Sequence, residues 1–224
     1  VNILIVSATE NEVRVLKSLL SNNKIDNNKE IYKINDVKIE FLVSGIGMVF
    51  SVYSLLKKIN ISKYDFVINM GIAGAFNNEL AIGSVVNVAQ EEFGDLGIES
   101  KDRFLSLFDT KYLSENEFPF KNGIIVNPGV NRFNIKLPQV NGVTVNTSHG
   151  NAQSISKFKE KFDADIETME GAAVFYVCLL DNIPFLQIRA VSNYVTERNI
   201  NEWKIPLAIE NLNNTVFDLL NTIE

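Results

Sequence analysis

A chain of 224 residues with 46% hydrophobic content is long enough for one globular domain (1–224) with a sizeable core. Its 21 basic and 27 acidic residues give a net charge of −6, spread without long like-charge blocks, which argues against a nucleic-acid partner. A single cysteine, Cys178, and a single histidine, His149, rule out an internal disulfide and argue against a Cys/His zinc site. No apolar run reaches the roughly 18 residues of a membrane span. The opening "VNILIVSATENEV" has neither a basic n-region nor a small-residue cleavage pattern. The expectation is a soluble, cytoplasmic α/β protein that needs no metal and no cofactor.

"NILIVSA" (2–8) reads as a buried parallel strand, and "ENEVRVLKSLL" as a helix with Val13, Leu16, Leu19 and Leu20 on one face. "SNNKIDNNKE" reads as a polar turn, and "EIYKINDVKIEFLVSG" as a hairpin turning at Asn35-Asp36. "MVFSVYSLLKKI" is helical, and "YDFVINMGIAGAF" is a strand running into a glycine loop. "GSVVNVAQEEFGD" is another strand, and the polar stretch 97–122 reads as an irregular insertion or lid. "GIIVNPG" and "GVTVNTS" are strands, and "NAQSISKFKEKF" is an amphipathic helix. "ADIETMEGAAVFYVCLLDN" passes from a short strand into an apolar helix that buries Cys178 as a packed core thiol. "PFLQIRAVSN" is the last core strand, and Ile209, Leu212, Val216, Leu219 and Leu220 mark a closing helix. Alternating strands and helices with no repeat or linker predict a central mixed, mostly parallel sheet flanked by helices.

Four strand exits carry polar residues: Glu10 and Glu12 in "TENE", Gly71 and Gly74 in "GIAG", Glu167, Met169 and Glu170 in "ETMEGAA", and Ser192-Asn193 in "RAVSN". Strand exits are where α/β proteins hold their ligands. Each feature also has a plain structural reading. Glu10 and Glu12 suit the positive end of a helix, and glycines after strands are usually turn residues. Glu170 resists that treatment, because an unpaired carboxylate between Met169 and "GAAVFYV" would be costly to bury. "GIG" at 45–47 is no dinucleotide fingerprint, since Phe50 takes the place of its third glycine. Two carboxylates on separate strand ends, a lid and a glycine loop suit acid–base chemistry on a small polyol ligand.

The ordered motifs "ATENEV", "SGIGMV", "NMGIAGAF", "ETMEGAA" and "RAVSN" resemble the purine nucleoside phosphorylase/nucleosidase superfamily from the first strand to the last helix. "EEFGDLGIE", "VNTSHGN" and "SNYVTERNINEWKIPLA" resemble its futalosine hydrolase branch, the sister of the methylthioadenosine/S-adenosylhomocysteine nucleosidases. The resemblance implies a nucleoside phosphorylase-like fold and hydrolysis of the N-glycosidic bond of futalosine, with release of hypoxanthine. Futalosine turnover would belong to menaquinone biosynthesis. The resemblance makes Glu12 the general base for water, and makes Glu170 the acceptor of ribose hydroxyl hydrogen bonds. Met169 would pack under the sugar and Ile46 beside it, while Ala73 and Gly74 line the base pocket. Arg189 would orient the acidic groups, and Asn193, beside Ser192, stands where the adenine-releasing enzymes carry an aspartate. It also implies a homodimer or higher homo-oligomer. The aromatic residues Phe104, Phe108, Tyr112, Phe118 and Phe120 read as exposed and in want of a partner surface, or else as a lid on their own domain.

The substitution at 193 has a chemical consequence of its own. A departing purine gathers negative charge and needs donors at N7 or O6. A neutral amide offers two N–H donors and one acceptor, which suits a 6-oxopurine; adenine's 6-amino group suits a protonatable aspartate better. A flipped amide would accommodate adenine in part. Arg103, Arg198 and Lys204 are candidates for holding a carboxylate on the substrate's tail. A phosphorylase would need arginines at the first strand exit or the glycine loop, where this chain has glutamates and glycines. The remaining alternatives are an adenine nucleosidase of the methylthioadenosine/S-adenosylhomocysteine type and a nucleoside-binding module without turnover.

Overall fold

Residues 1–26, 30–101, 103–131 and 135–223 are described by a computed structural model. The opening apolar run forms β1 (Asn2–Ser7), and the amphipathic segment after it forms α1 (Glu10–Leu19). A short strand β2 (Lys24–Asp26) leads to the hairpin β3 (Ile31–Ile34) and β4 (Val37–Val43), then α2 (Met48–Ile61). The central strands are β5 (Phe66–Ala75) and β6 (Val85–Phe93), followed by β7 (Gly97–Ser100) and β8 (Arg103–Ser106). Then come β9 (Phe120–Lys121), β10 (Ile124–Val126), β11 (Gln139–Thr144) and α3 (Ala152–Lys159). The chain closes with β12 (Ile166–Thr168), α4 (Gly171–Leu180), β13 (Phe185–Tyr194) and α5 (Ile205–Thr222).

The sheet is mixed. β1 pairs in parallel with β4 and β5, and β5 with β13, whereas β12 runs antiparallel to β5 and β13 antiparallel to β6. Because β13 bonds both β5 and β6, the strands β5, β12, β11, β6 and β13 close a ring. Strands buried on both sides read as continuous apolar runs. Ile5, Ile68 and Ile188 pack on one side against Leu16 of α1 and Leu212 and Val216 of α5. Val67 and Val86 pack on the other side with Leu55 of α2 and Val174, Phe175 and Cys178 of α4. Burial pushes the Cys178 thiol well above its usual range, which makes it an inert core group.

Four expectations change in the structure. The glycines of "GIAG" form no loop, because β5 runs through them to Ala75. The polar turn after α1 contains β2, paired with β3, although residues 27–29 lie outside the described residues. The stretch 97–122 is not wholly irregular, since β7 and β8 form a hairpin of their own. Of the five aromatic residues expected at a partner surface, only Tyr112 and Phe118 are exposed. Phe120 is buried with Phe108 against it at 5.1 Å, and Phe104 faces Phe162. The Asn35-Asp36 turn is as expected, with Asn35 at φ 51° between the paired Ile34 and Val37. Among the described residues, no helix is long and apolar enough to cross a membrane.

Candidate active site

The exits of β1 and β12 and the last halves of β5 and β13 bring the polar residues together. Glu12 sits in the first turn of α1, and it is buried. Its Oε2 accepts from the Thr9 backbone N–H at 2.8 Å and the Thr9 hydroxyl at 3.0 Å, a reciprocal cap of the helix. Its Oε1 accepts from the Ile72 N–H at 3.2 Å, which ties the carboxylate to β5. Glu10, the other acidic residue of that turn, is exposed and paired with Lys17 at 2.9 Å, facing away from this cluster.

Glu170 precedes α4 and is also buried. Its Oε1 accepts from the Gly47 N–H at 2.9 Å. Its Oε2 lies 4.0 Å from Nη1 of Arg189, which is itself 1% exposed. Burial raises the Glu170 carboxyl above its ordinary range, and the Arg189 charge opposes that rise. Gly71 explains how three charged groups share this space. A Cβ there would lie 2.1 Å from Arg189 Nη1 and 2.8 Å from Glu12 Oε1. An arginine therefore does stand beside "GIAG", delivered by β13, but it sits between two glutamates that would repel a phosphate. Its Nε and Nη2 have no hydrogen-bond partner among the described residues.

Ser192 and Asn193 sit at a bulge in the pairing of β13 with β5, where the register jumps from Val191 opposite Ala73 to Asn193 opposite Gly74. The Ser192 hydroxyl lies 3.1 Å from the Ala73 carbonyl and 2.7 Å from Asn193 Oδ1. Asn193 Nδ2 donates to the Tyr194 carbonyl at 3.0 Å. A carbonyl accepts and cannot donate, so the amide is held with its N–H₂ side free to donate further. A flip would set Oδ1 against the Tyr194 carbonyl, so the flipped amide expected to admit adenine is disfavoured. Ala73 is buried beside this amide, Met169 is half-buried, and Ile46 is exposed between Gly45 and Gly47. The arrangement offers a buried carboxylate near a second, charge-balanced one, with a neutral donor a few residues along the sheet.

A buried network went unread in the sequence. Glu91 of β6 accepts from Gln187 Nε2 at 2.6 Å and from the Thr144 hydroxyl at 2.9 Å. Asn69 donates to Gln187 at 3.1 Å, and Thr144 lies 3.0 Å from Thr168. Each strand of the ring thus contributes one polar side chain. The network also accepts the N–H groups of Gly171 and Ala172, which fixes the start of α4 just after Glu170. The pair Glu91-Glu92 was the available signal: adjacent residues of a strand point to opposite faces, so at least one of the two must face the interior.

Burial pushes the Glu91 carboxyl up to about 7, with Gln187 and Thr144 opposing, from 4.5. Between those values the folded state holds a proton that the unfolded chain has released. Stability therefore falls as pH rises through this window, and the loss is complete above about 7. At about 1.4 kcal/mol per pKa unit, the effect is about 3 kcal/mol. Glu91→Gln should remove it, so thermal melts of wild type and variant should diverge progressively from pH 5 to pH 8. Parallel melting curves across that range would show that Glu91 does not titrate there.

Of the residues suggested for a substrate carboxylate, Arg103 and Arg198 line a cavity of about 960 Å³ with Phe104, Phe158, Phe162 and His149. Lys204 is not part of that wall; it stands at the start of α5, where its N–H donates to the Ser192 carbonyl at 2.8 Å.

Comparison with known proteins agrees with this architecture. The family described as the phosphorylase superfamily matches residues 2–221. The 5'-methylthioadenosine/S-adenosylhomocysteine nucleosidase of Buchnera aphidicola subsp. Schizaphis graminum is 30% identical over 216 residues, covering 91% of this chain and 89% of that protein. Futalosine hydrolase of Streptomyces coelicolor is 30% identical over 162 residues, covering 72% and 67%. The crystal structure of Campylobacter jejuni 5'-methylthioadenosine/S-adenosyl homocysteine nucleosidase superposes with a TM-score of 0.78 at 25% identity, covering 99% of each chain. By sequence match over nearly its whole length and by fold, the chain belongs to the phosphorylase superfamily.

Proposed function

We propose that the protein is a purine nucleosidase, a hydrolase of N-glycosyl bonds. The observation that carries this reading is the buried Glu12 set with Arg189 over Gly71, with Glu170 4.0 Å from the same arginine. A protein that only binds nucleosides has no need of a desolvated base. Glu12 takes a proton from water as its oxygen bonds to C1′, and the C1′–N bond pair leaves with the purine. Glu170 accepts from the ribose hydroxyls, and the Arg189 charge beside it opposes the rise that burial imposes on its carboxyl. Met169 and Ile46 flank the sugar, while Ala73 and Gly74 lie under the base. Asn193 donates to the purine as charge builds on it.

For the base itself, the fixed amide of Asn193 supports a 6-oxopurine, as in the futalosine reading. The cavity walled by arginines and phenylalanines suits an aromatic carboxylate. The second reading is an adenine nucleosidase acting on methylthioadenosine or S-adenosylhomocysteine, and most relatives of this chain carry that name. Incubation with futalosine and with methylthioadenosine, following hypoxanthine and adenine release, separates the two. Hypoxanthine from futalosine alone supports the first reading, and adenine alone supports the second. Release of neither base overturns the nucleosidase assignment. The same reading carries a homo-oligomer, for which α2 offers Val49, Phe50 and Tyr53, exposed by 75%, 63% and 67%.

A further inference from the structure

Glu170 stands just before α4, where a side-chain oxygen commonly turns back to accept the N–H two or three residues on. It makes no such bond. Its Oε1 accepts instead from the N–H of Gly47, at the start of α2. The end of α4 is satisfied from elsewhere. The Ala172 N–H donates to the Thr144 hydroxyl at 2.8 Å, and the Gly171 N–H to the Thr168 hydroxyl at 3.2 Å. Two threonines, paired in register on the neighbouring strands β11 and β12, thus cap the helix that Glu170 leaves uncapped.

Thr144 can serve as a cap only if its proton points elsewhere, and Glu91 provides for that. A hydroxyl has one proton and two acceptor sites. Thr144 donates its proton to Glu91 Oε2 at 2.9 Å, which leaves it to accept from Ala172 and from Thr168, 3.0 Å away. Thr168 then donates to Thr144 while accepting from Gly171. All of these bonds run toward Glu91, whose other oxygen takes Gln187 at 2.6 Å. The fold makes room for this acceptor: a Cβ at Gly171 would lie 2.0 Å, and one at Gly142 2.6 Å, from Glu91 Oε1. Thr144, Glu91 and Gln187 are each 0% exposed, so bulk water does not reach these bonds.

We propose that Thr144, oriented by Glu91, is a positioning residue for Glu170. By capping α4 it leaves the Glu170 carboxylate free to bridge to Gly47 and to face Arg189, 4.0 Å away, where it meets the sugar. The sugar contact rests on the purine nucleosidase reading; the cap does not. Without the hydroxyl, the Ala172 N–H is left buried and unpaired at the positive end of a helix, which costs free energy and attracts a carboxylate. Glu91 is tied to Gln187, whereas Glu170 is next to the helix and needs only a side-chain rotation. It would turn back onto its own helix and release the Gly47 N–H.

The test compares Thr144→Val, which keeps the branched shape and loses the hydroxyl, with Thr144→Ser, which keeps the hydroxyl and loses a methyl group. Two quantities are read: the Gly47 amide resonance by heteronuclear NMR, and kcat/KM for whichever of futalosine and methylthioadenosine the wild type hydrolyses. In Thr144→Val the Gly47 amide proton should move upfield as its bond to Glu170 is lost. Its kcat/KM should fall about 10–100-fold, the range for hydrogen bonds to a charged acceptor. Thr144→Ser should keep the Gly47 resonance and the turnover close to wild type, even though its packing gap lowers the melting temperature. A merely structural role would instead make turnover follow stability. Thr144→Ala removes the same hydroxyl without adding bulk, and takes the place of Thr144→Val if that variant does not fold. A Gly47 resonance unmoved by loss of the hydroxyl would overturn the proposal, whether or not the protein hydrolyses a nucleoside. A resonance that moves while kcat/KM holds would uphold the positioning and overturn the sugar contact of Glu170, so the two failures are told apart.

Discussion

Glu12→Gln should bind substrate with little change and lose about 10²–10⁴-fold in kcat, the usual cost of removing a general base. The substitution is a clean probe because glutamine separates the observed capping contact of Glu12 from its proposed role as base. As a cap, the side chain needs an oxygen that accepts from Thr9, and a glutamine in the third helical position can supply one. As a base it needs to take a proton, which an amide does not do at neutral pH. A variant that melts near wild type but turns over slowly is therefore the expected result, read by melting temperature and single-turnover hydrolysis together. A rate near wild type would remove Glu12 from the chemistry. Glu10 would not inherit the role, since it is exposed and bound to Lys17.

Asn193→Asp should reverse the preference between bases. In the wild-type chain, the position of Nδ2 is dictated by the Tyr194 carbonyl 3.0 Å away. An aspartate would place an oxygen there, and two acceptors that close repel unless one carries a proton. The new carboxyl should accordingly hold its proton above the usual range and be able to donate to N7 while accepting from a 6-amino group. Facing a 6-oxopurine, its ionised form repels O6. We expect kcat/KM for futalosine to fall and that for methylthioadenosine to rise. The ratio should move by more than about 10²-fold, below the roughly 10⁴–10⁵ available to a site that leaves polar groups unpaired. Both substrates should be followed on one preparation from pH 5 to 8. Equal losses on both would reduce Asn193 to a strand-end hydrogen bond.

The apolar runs of β1, β5 and β13 were legible because strands buried on both sides need them, and the helices because α1 and α5 keep one polar face. The order of motifs was enough to nominate Glu12, Glu170 and Asn193, which the fold brings to one region. What escaped was every feature decided by a neighbour distant in sequence. Gly71 looked like a turn, yet it is a strand residue kept bare because the Arg189 side chain occupies its Cβ space. β2 is too short to show any alternation, and it is defined by its pairing with β3. Glu91 needed knowledge that β6 is covered on both sides, and Phe120 needed the aromatic neighbours that bury it. Glu167 was read only as part of a strand exit, because its partner His149 and its register with Gly74 belong to tertiary structure.

The bulge at Ser192 has a consequence for how this enzyme can diverge. With Val191 opposite Ala73 and Asn193 opposite Gly74, the extra residue decides which side chain stands opposite Gly74, where we propose the base is read. Loss of one residue from this strand would seat a different side chain opposite Gly74 with no point substitution at all. An insertion nearby would turn the amide to the other face of the sheet. On the proposed role of Asn193, base preference in such chains is heritable as strand length as well as residue type, and relatives compared letter by letter at this position need first to be matched by bulge.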